Sequence, residues 1–288
     1  MYGLALVLLL AFLWVALVLT RKPGHEGEWG SLQTRLPVVS RPGTDLYQIR
    51  HIRDFRYHPD GTPHLLQYRD DAFDSNHLEQ VWLGISHFGP LGMAHTFLSF
   101  EFTGQRFLVA SVEARLYSSQ VYGPLQGLLR RFHKMVVLGT EADVIGLRTH
   151  VRNERVLLYP LQLDEAARKA VWQAMMADVM QLENEPAFYN TLTDNCLTNL
   201  LKHTPGYRPW QMLLDYRLLL PGFADGMAYD KGWINTRRSL ADLREQARVD
   251  ATRTRPDAED FSLQIRCGWQ QEENQPAEAR CSSSLLNK

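Results

Sequence analysis

Residues 94–102 and 107–115 share one alternation. The even positions (Thr96, Leu98, Phe100, Phe102, then Leu108, Ala110, Val112, Ala114) are apolar with one exception. The odd positions place His95, Ser99, Glu101, Ser111, Glu113 and Arg115 among Phe97, Phe107 and Val109. A period of two is the strand signature, because successive side chains point to opposite faces. Both apolar faces can share one side of a sheet only if odd pairs with odd. A three- or five-residue connection around Gly104 achieves that pairing as a hairpin. Such a hairpin brings Glu113 to within a diagonal step of His95. The chain is thereby bound to a sheet with one face on a core and the other carrying a polar site.

The remaining periodicities are mostly helical. Ser75–Phe88 places Leu78, Val81, Trp82 and Ile85 on one helical face and ends at Gly89 and Pro90. Asp164 can cap a helix to about Glu183, with Ala167, Val171, Met175, Val179 and Leu182 at helical spacing. Short strands are predicted at Met135–Leu138 and Arg155–Leu163, and helices at Pro209–Leu219 and Ser239–Ala247. Runs of strands separate from runs of helices predict an α+β domain.

Four regions follow. Residues 1–20 hold a charge-free stretch, Tyr2–Thr20, which as a helix reaches about 28 Å and predicts a transmembrane anchor. A cleaved signal peptide is the alternative, but no basic residue precedes the run and no A-x-A site follows it. Residues 21–45, rich in Gly, Pro and Ser, read as a tether, 46–250 as the catalytic domain, and 251–288 as a polar tail. Arg21 and Lys22 directly after the apolar run would by charge alone place the domain in the cytoplasm. A net charge of -1 gives no electrostatic footprint for nucleic acid, and no spacing of metal ligands occurs. Of the three cysteines, Cys267 and Cys281 can form a disulfide in an oxidising compartment or remain two thiols, and Cys196 is left over.

Cys196 follows Thr193, Asp194 and Asn195, all good helix caps, and an apolar stretch follows it. A thiol in the first turn of a helix meets the positive end of the dipole, which favours thiolate. The imidazole of His95, held on a strand, can take the thiol proton, and Glu113 can orient it. Arg115 competes for Glu113 as an ion-pair partner. Asn195, Ser99, Ser111 and Arg115 are candidate supporting residues. His203 lies about 10 Å along the same helix, too far for a base.

Arg53-Asp54-Phe55-Arg56-Tyr57, Ala94–Phe100, Ser111–Arg115, Asp143–Thr149 and Phe188–Asn199, in that order, resemble the bacterial Lnb N-terminal periplasmic domain family. The resemblance covers about 50–205 and continues less distinctly through Leu220–Asp225. The family's namesake is a lipoprotein N-acyltransferase, which implies a periplasm-facing domain with Cys196 and His95 as the reacting pair. His before Cys, with Asn directly before the Cys, is also similar to permuted papain-like (NlpC-type) enzymes such as lecithin:retinol acyltransferase. That similarity implies a small antiparallel sheet packed on helices.

The expected protein is thus an inner-membrane-anchored, papain-like α+β enzyme facing the periplasm. Cys196 attacks an ester or amide carbonyl of a lipid or lipoprotein, with His95 and Glu113 in support and no metal or organic cofactor. Two rivals use the same residues differently. One is a cysteine amidase or peptidase acting on cell-wall peptides. The other is a non-catalytic membrane-tethered module. An apolar channel beside Cys196 would favour lipid, and an open polar cleft would favour peptide.

Overall fold

The computed structural model describes residues 12, 14–16, 18–123, 126–127, 129–191, 196–201 and 215–269. Its centre is one eight-stranded sheet. The strands are β1 (Val38–Ser40), β2 (Leu46–Tyr57), β3 (Pro63–Asp74), β4 (Leu78–His87), β5 (Ala94–Phe102), β6 (Arg106–Arg115), β7 (His133–Gly139) and β8 (Arg155–Pro160). They run in the order β1-β2-β7-β6-β5-β4-β8, with β3 paired to β2. All pairings are antiparallel except β2 with β7.

This topology corrects the expected architecture. The sheet is large and mixed rather than small and antiparallel, the helices are few, and a papain-like arrangement does not describe it. The expected transmembrane helix is likewise not found. No helix among the described residues is long and apolar enough to cross a membrane, and most of segment 1–20 lies outside them.

The hairpin forms as its alternation requires. β5 and β6 pair from Phe102↔Arg106 to Leu98↔Ala110 across a three-residue connection. The even face packs into the larger core: Leu98, Phe100, Phe102, Leu108 and Ala110 meet Trp172, Met175 and Met176 of α2 (Glu165–Asn184). The Asp164 side chain caps α2 by accepting the Ala167 N–H. The odd face is buried too, because Phe97 and Val109 join a second core with Val144 and Ile145 of α1 (Glu141–Gly146). With both faces covered, strands need not alternate. Residues 81–86 of β4 are all buried, so their continuous apolar run mimics one face of a helix. That is why Ser75–Phe88, expected as a helix, is a one-turn 3-10 helix followed by a strand.

Part of the segment expected as a tether lies on the domain. Trp29 stacks on Tyr117 with ring centroids 4.5 Å apart, and the guanidinium of Arg115 sits 4.0 Å from the Trp29 ring centre. Strand β1 pairs with β2. Cys267 is disulfide-bonded, Cys196 is free and buried, and Cys281 lies outside the described residues.

Candidate active site

The β5–β6 ladder ends at Leu98↔Ala110, yet β5 starts at Ala94 and β6 runs on to Arg115. Ala94–Phe97 stay paired to β4, and Ser111–Arg115 stay paired to β7. The sheet therefore splits at one end, leaving facing backbone groups that need partners. α3 (Cys196–Leu201) enters this split. Its Leu197 and Leu201 join the larger core, and the Thr96 N–H, without a strand partner, donates to the Cys196 Sγ at 3.5 Å. The nucleophile candidate thus touches the residue next to His95.

A cavity of about 510 Å³ occupies the split, with Cys196, His95 and Glu113 all in its wall. Its apolar lining includes Phe88, Met93, Val112, Tyr122 and Leu219, and Arg148, Arg152 and Glu154 form a polar flank. Part of the expected tether closes it as well. Gln33 lines the cavity, donates from Nε2 to the Ala114 carbonyl at 2.9 Å and accepts the Leu116 N–H at 2.6 Å.

Glu113 does not touch His95 directly. Ser111 stands between them: its Oγ lies 2.7 Å from His95 Nε2 and donates to Glu113 Oε1 at 3.0 Å. A hydroxyl has one proton. Because the Ser111 proton goes to the carboxylate, Ser111 accepts from the imidazole, which puts the ring proton on Nε2. Nδ1 then carries the lone pair, and it makes no hydrogen bond among the described residues. Nδ1 is therefore the ring nitrogen with a lone pair free to accept a proton.

Arg148 supplies the fourth group. It follows α1 in a π-helical turn over Leu147–Val151 and donates from Nη2 to Glu113 Oε1 at 3.1 Å. Burial pushes the Glu113 carboxyl up, but the fields of Arg148, Arg53 and His95 outweigh it and hold the group down at about 2. Burial pulls the imidazole of His95 down and Arg148 adds to that, against Glu113, so its pKa falls to about 3. The resting imidazole is neutral at physiological pH.

The thiol departs from the expectation. Burial pushes Cys196 up, and the Thr96 groups and backbone N–H groups beside it offset this only in part. The helix dipole does not prevail, because the sulfur is enclosed. Resting Cys196 is a thiol that shares the cavity wall with a neutral imidazole. Alkylation of Cys196 by iodoacetamide, followed by mass at that residue, should be slower at pH 7 than for a free cysteine and should still climb above pH 9. A plateau already reached below pH 7 would reveal a preformed thiolate–imidazolium pair instead.

The remaining candidates lie elsewhere. Ser99 hydrogen-bonds Glu141, which forms a buried ion pair with Arg266 at 2.6 Å, away from the cavity wall. Arg115 turns from Glu113 and donates to the carbonyls of Gln33 and Thr34 at 2.9 Å each, bracing the N-terminal segment. Asn195 lies outside the described residues. Gln33 carries no local signal, and Arg148 stands in the motif Asp143–Thr149 with nothing local to mark it for this site. Tyr189, also in the cavity wall, is pushed up by burial and by the nearby Cys196.

Among the described residues no group of three or more His, Cys, Asp or Glu is placed to hold a metal ion. No characterised protein and no solved structure matches the chain significantly. A family model described as the Lnb N-terminal periplasmic domain matches residues 65–222, more than half of the chain and a span containing His95, Ser111, Glu113, Arg148 and Cys196. The chain therefore belongs to the Lnb N-terminal periplasmic domain family.

Proposed function

We propose that this periplasmic domain is a thiol acyltransferase whose Cys196 takes an acyl group from a lipid or lipoprotein. The supporting observation is the shared cavity: a buried free thiol and an imidazole with an open Nδ1, beside a largely apolar lining. As the Cys196 proton moves to Nδ1, sulfur attacks the carbonyl carbon and the carbonyl oxygen becomes an oxyanion. The imidazolium is stabilised through Nε2–H, Ser111 and the Glu113 carboxylate. Collapse of the tetrahedral species breaks the bond to the leaving oxygen or nitrogen, which takes the proton back from Nδ1 and leaves a thioester. An incoming amine or hydroxyl then gives its proton to Nδ1 and attacks the thioester, and the departing sulfur takes that proton back from Nδ1 to regenerate the thiol.

The polar flank of Arg152 and Glu154 favours a second reading, a cysteine amidase acting on cell-wall peptides, in which water is the acceptor. Intact mass after incubation with mixed bacterial phospholipids separates the two. A fatty-acyl increase in wild type that is absent from Cys196→Ala is the expected result. No increase in wild type, with cleavage of a cell-wall peptide that needs Cys196, would replace transfer from lipid by the amidase.

A further inference from the structure

Large apolar side chains are exposed around the mouth of the cavity to a degree seen nowhere else on the described domain. Leu91 is 84% and Val121 82% exposed, and Phe88, Tyr216 and Leu219 are each more than half exposed. From residue 21 onward, the only described large hydrophobics exposed away from this mouth are Leu46, Leu65 and Leu66. Scattered exposed hydrophobics need no explanation, but a contiguous set does.

The set is contiguous because three connections meet here. The β4–β5 turn closes with the Phe88 N–H on the Met93 carbonyl at 3.2 Å. The Gly222 N–H donates to the Gly92 carbonyl at 2.9 Å, which docks the turn on residues 216–223. A Cβ on Gly222 would come within 2.7 Å of that carbonyl, so only glycine permits the approach. The β6–β7 connection completes the rim: Tyr122, next to Val121, stacks on Phe132 with centroids 5.4 Å apart.

Charge selects the occupant. Arg155 lines a neighbouring pocket together with Leu91, Arg131 is exposed on the β6–β7 connection, and Arg152 is in the cavity wall, 3.9 Å from Glu154. Four acids at this end are engaged within the protein: Glu113 by Arg148, Asp215 by Arg217, Asp225 by Arg244, and Glu154 by Ser86 and Arg152, while Glu28 is exposed beside Ser118. A chain of net charge -1 thus presents arginines among its exposed apolar residues. Leu19, near the end of the charge-free sequence, also meets the domain here, where Arg130 donates to its carbonyl at 3.2 Å. An apolar rim interleaved with cations matches the surface of an anionic bilayer, with side chains among acyl chains and guanidinium groups at phosphates.

We infer that the cavity rim formed by Phe88, Leu91, Val121, Tyr216 and Leu219 docks on an anionic lipid bilayer. This deepens the acyl-transfer reading by placing the cavity mouth where lipid acyl groups are found, and it rests on that reading for its purpose. The test does not. The full chain carrying Cys196→Ser receives Leu91→Cys, Val121→Cys or, on the far turn of the β5–β6 hairpin, Thr103→Cys. Each is labelled, without reduction, with an environment-sensitive nitrobenzoxadiazole dye.

With vesicles of phosphatidylglycerol and phosphatidylethanolamine, emission at 91 and 121 should rise several-fold and shift to the blue, more weakly with phosphatidylcholine alone, and not at 103. Unchanged emission at 91 and 121 in protein that co-sediments with the vesicles would overturn the inference. So would an increase that needs no lipid and grows with protein concentration, which would mark a second copy as the occupant. Because the labelled chains lack the thiol, failure of docking and failure of acyl transfer are read separately.

Discussion

Replacing His95 with glutamine should lower kcat for acyl transfer by about 10²–10⁴-fold, the range of a lost general base, with little change in KM. The resting thiol is protonated and enclosed, so without Nδ1 there is no acceptor for its proton. Ser111 is a positioning residue in this scheme, since it touches the imidazole rather than substrate. Ser111→Ala removes the acceptor for Nε2–H and separates the imidazolium from Glu113. Its expected cost is about 10-fold or more in kcat, on the scale of one charge-assisted hydrogen bond. Ser111→Thr, which keeps the hydroxyl, should recover most of it. A purely structural role would instead lower the unfolding midpoint of Ser111→Ala and leave kcat per folded molecule intact. That result would remove Ser111 from the mechanism.

The largest effect on stability is expected at Asp143. Its carboxylate is fully buried and accepts from Arg53 Nε at 2.8 Å, Arg53 Nη2 at 3.0 Å, the Phe55 N–H at 3.1 Å and the Tyr57 hydroxyl at 2.8 Å. The pair ties α1 to β2, and burial with Asp143 beside it pushes the Tyr57 hydroxyl up. Asp143→Ala leaves a buried guanidinium without its partner, which costs about 3–5 kcal/mol. In urea unfolding the midpoint should fall with the slope unchanged. Adding Arg53→Met should return only part of the loss, because the Phe55 N–H and Tyr57 hydroxyl still lack an acceptor. Full recovery in the double variant would show that those two bonds contribute nothing.

The legible parts of the fold were those whose pattern is set by near neighbours. The β5–β6 hairpin and α2 each show one period and clear ends, and both form close to the expected bounds. β4 was unreadable because burial on both faces erases alternation. β2 and β3 escaped for the opposite reason. Their many charged residues give no clean alternation, and the buried one among them, Arg53, is tolerated because it is neutralised by Asp143, 90 residues away in sequence. The small sheet implied by the papain-like similarity has no place for that pair of strands.

The site divides the same way. His95 and Glu113 are placed by one hairpin, and the cavity gathers them with Cys196. Arg148, Gln33 and the role of Ser111 depend on contacts that no local period encodes. The thiol's resistance to ionisation comes from burial, which the cap residues before Cys196 could not announce.

The split between β5 and β6 gives the sulfur a second task. It is the acceptor for an amide that would otherwise be an orphan inside the sheet, so chemistry at Cys196 alters the hydrogen bonding of β5 itself. A thioester sulfur carries less negative charge than a thiol poised to ionise, and it is a poorer acceptor. In the proposed acyl transfer, each loading of the nucleophile would therefore loosen the Thr96 amide, two residues from the start of β5 and three from the turn that bears Leu91 and Met93. The covalent state of the protein would in this way be written into the split between β5 and β6, at the entrance to the cavity.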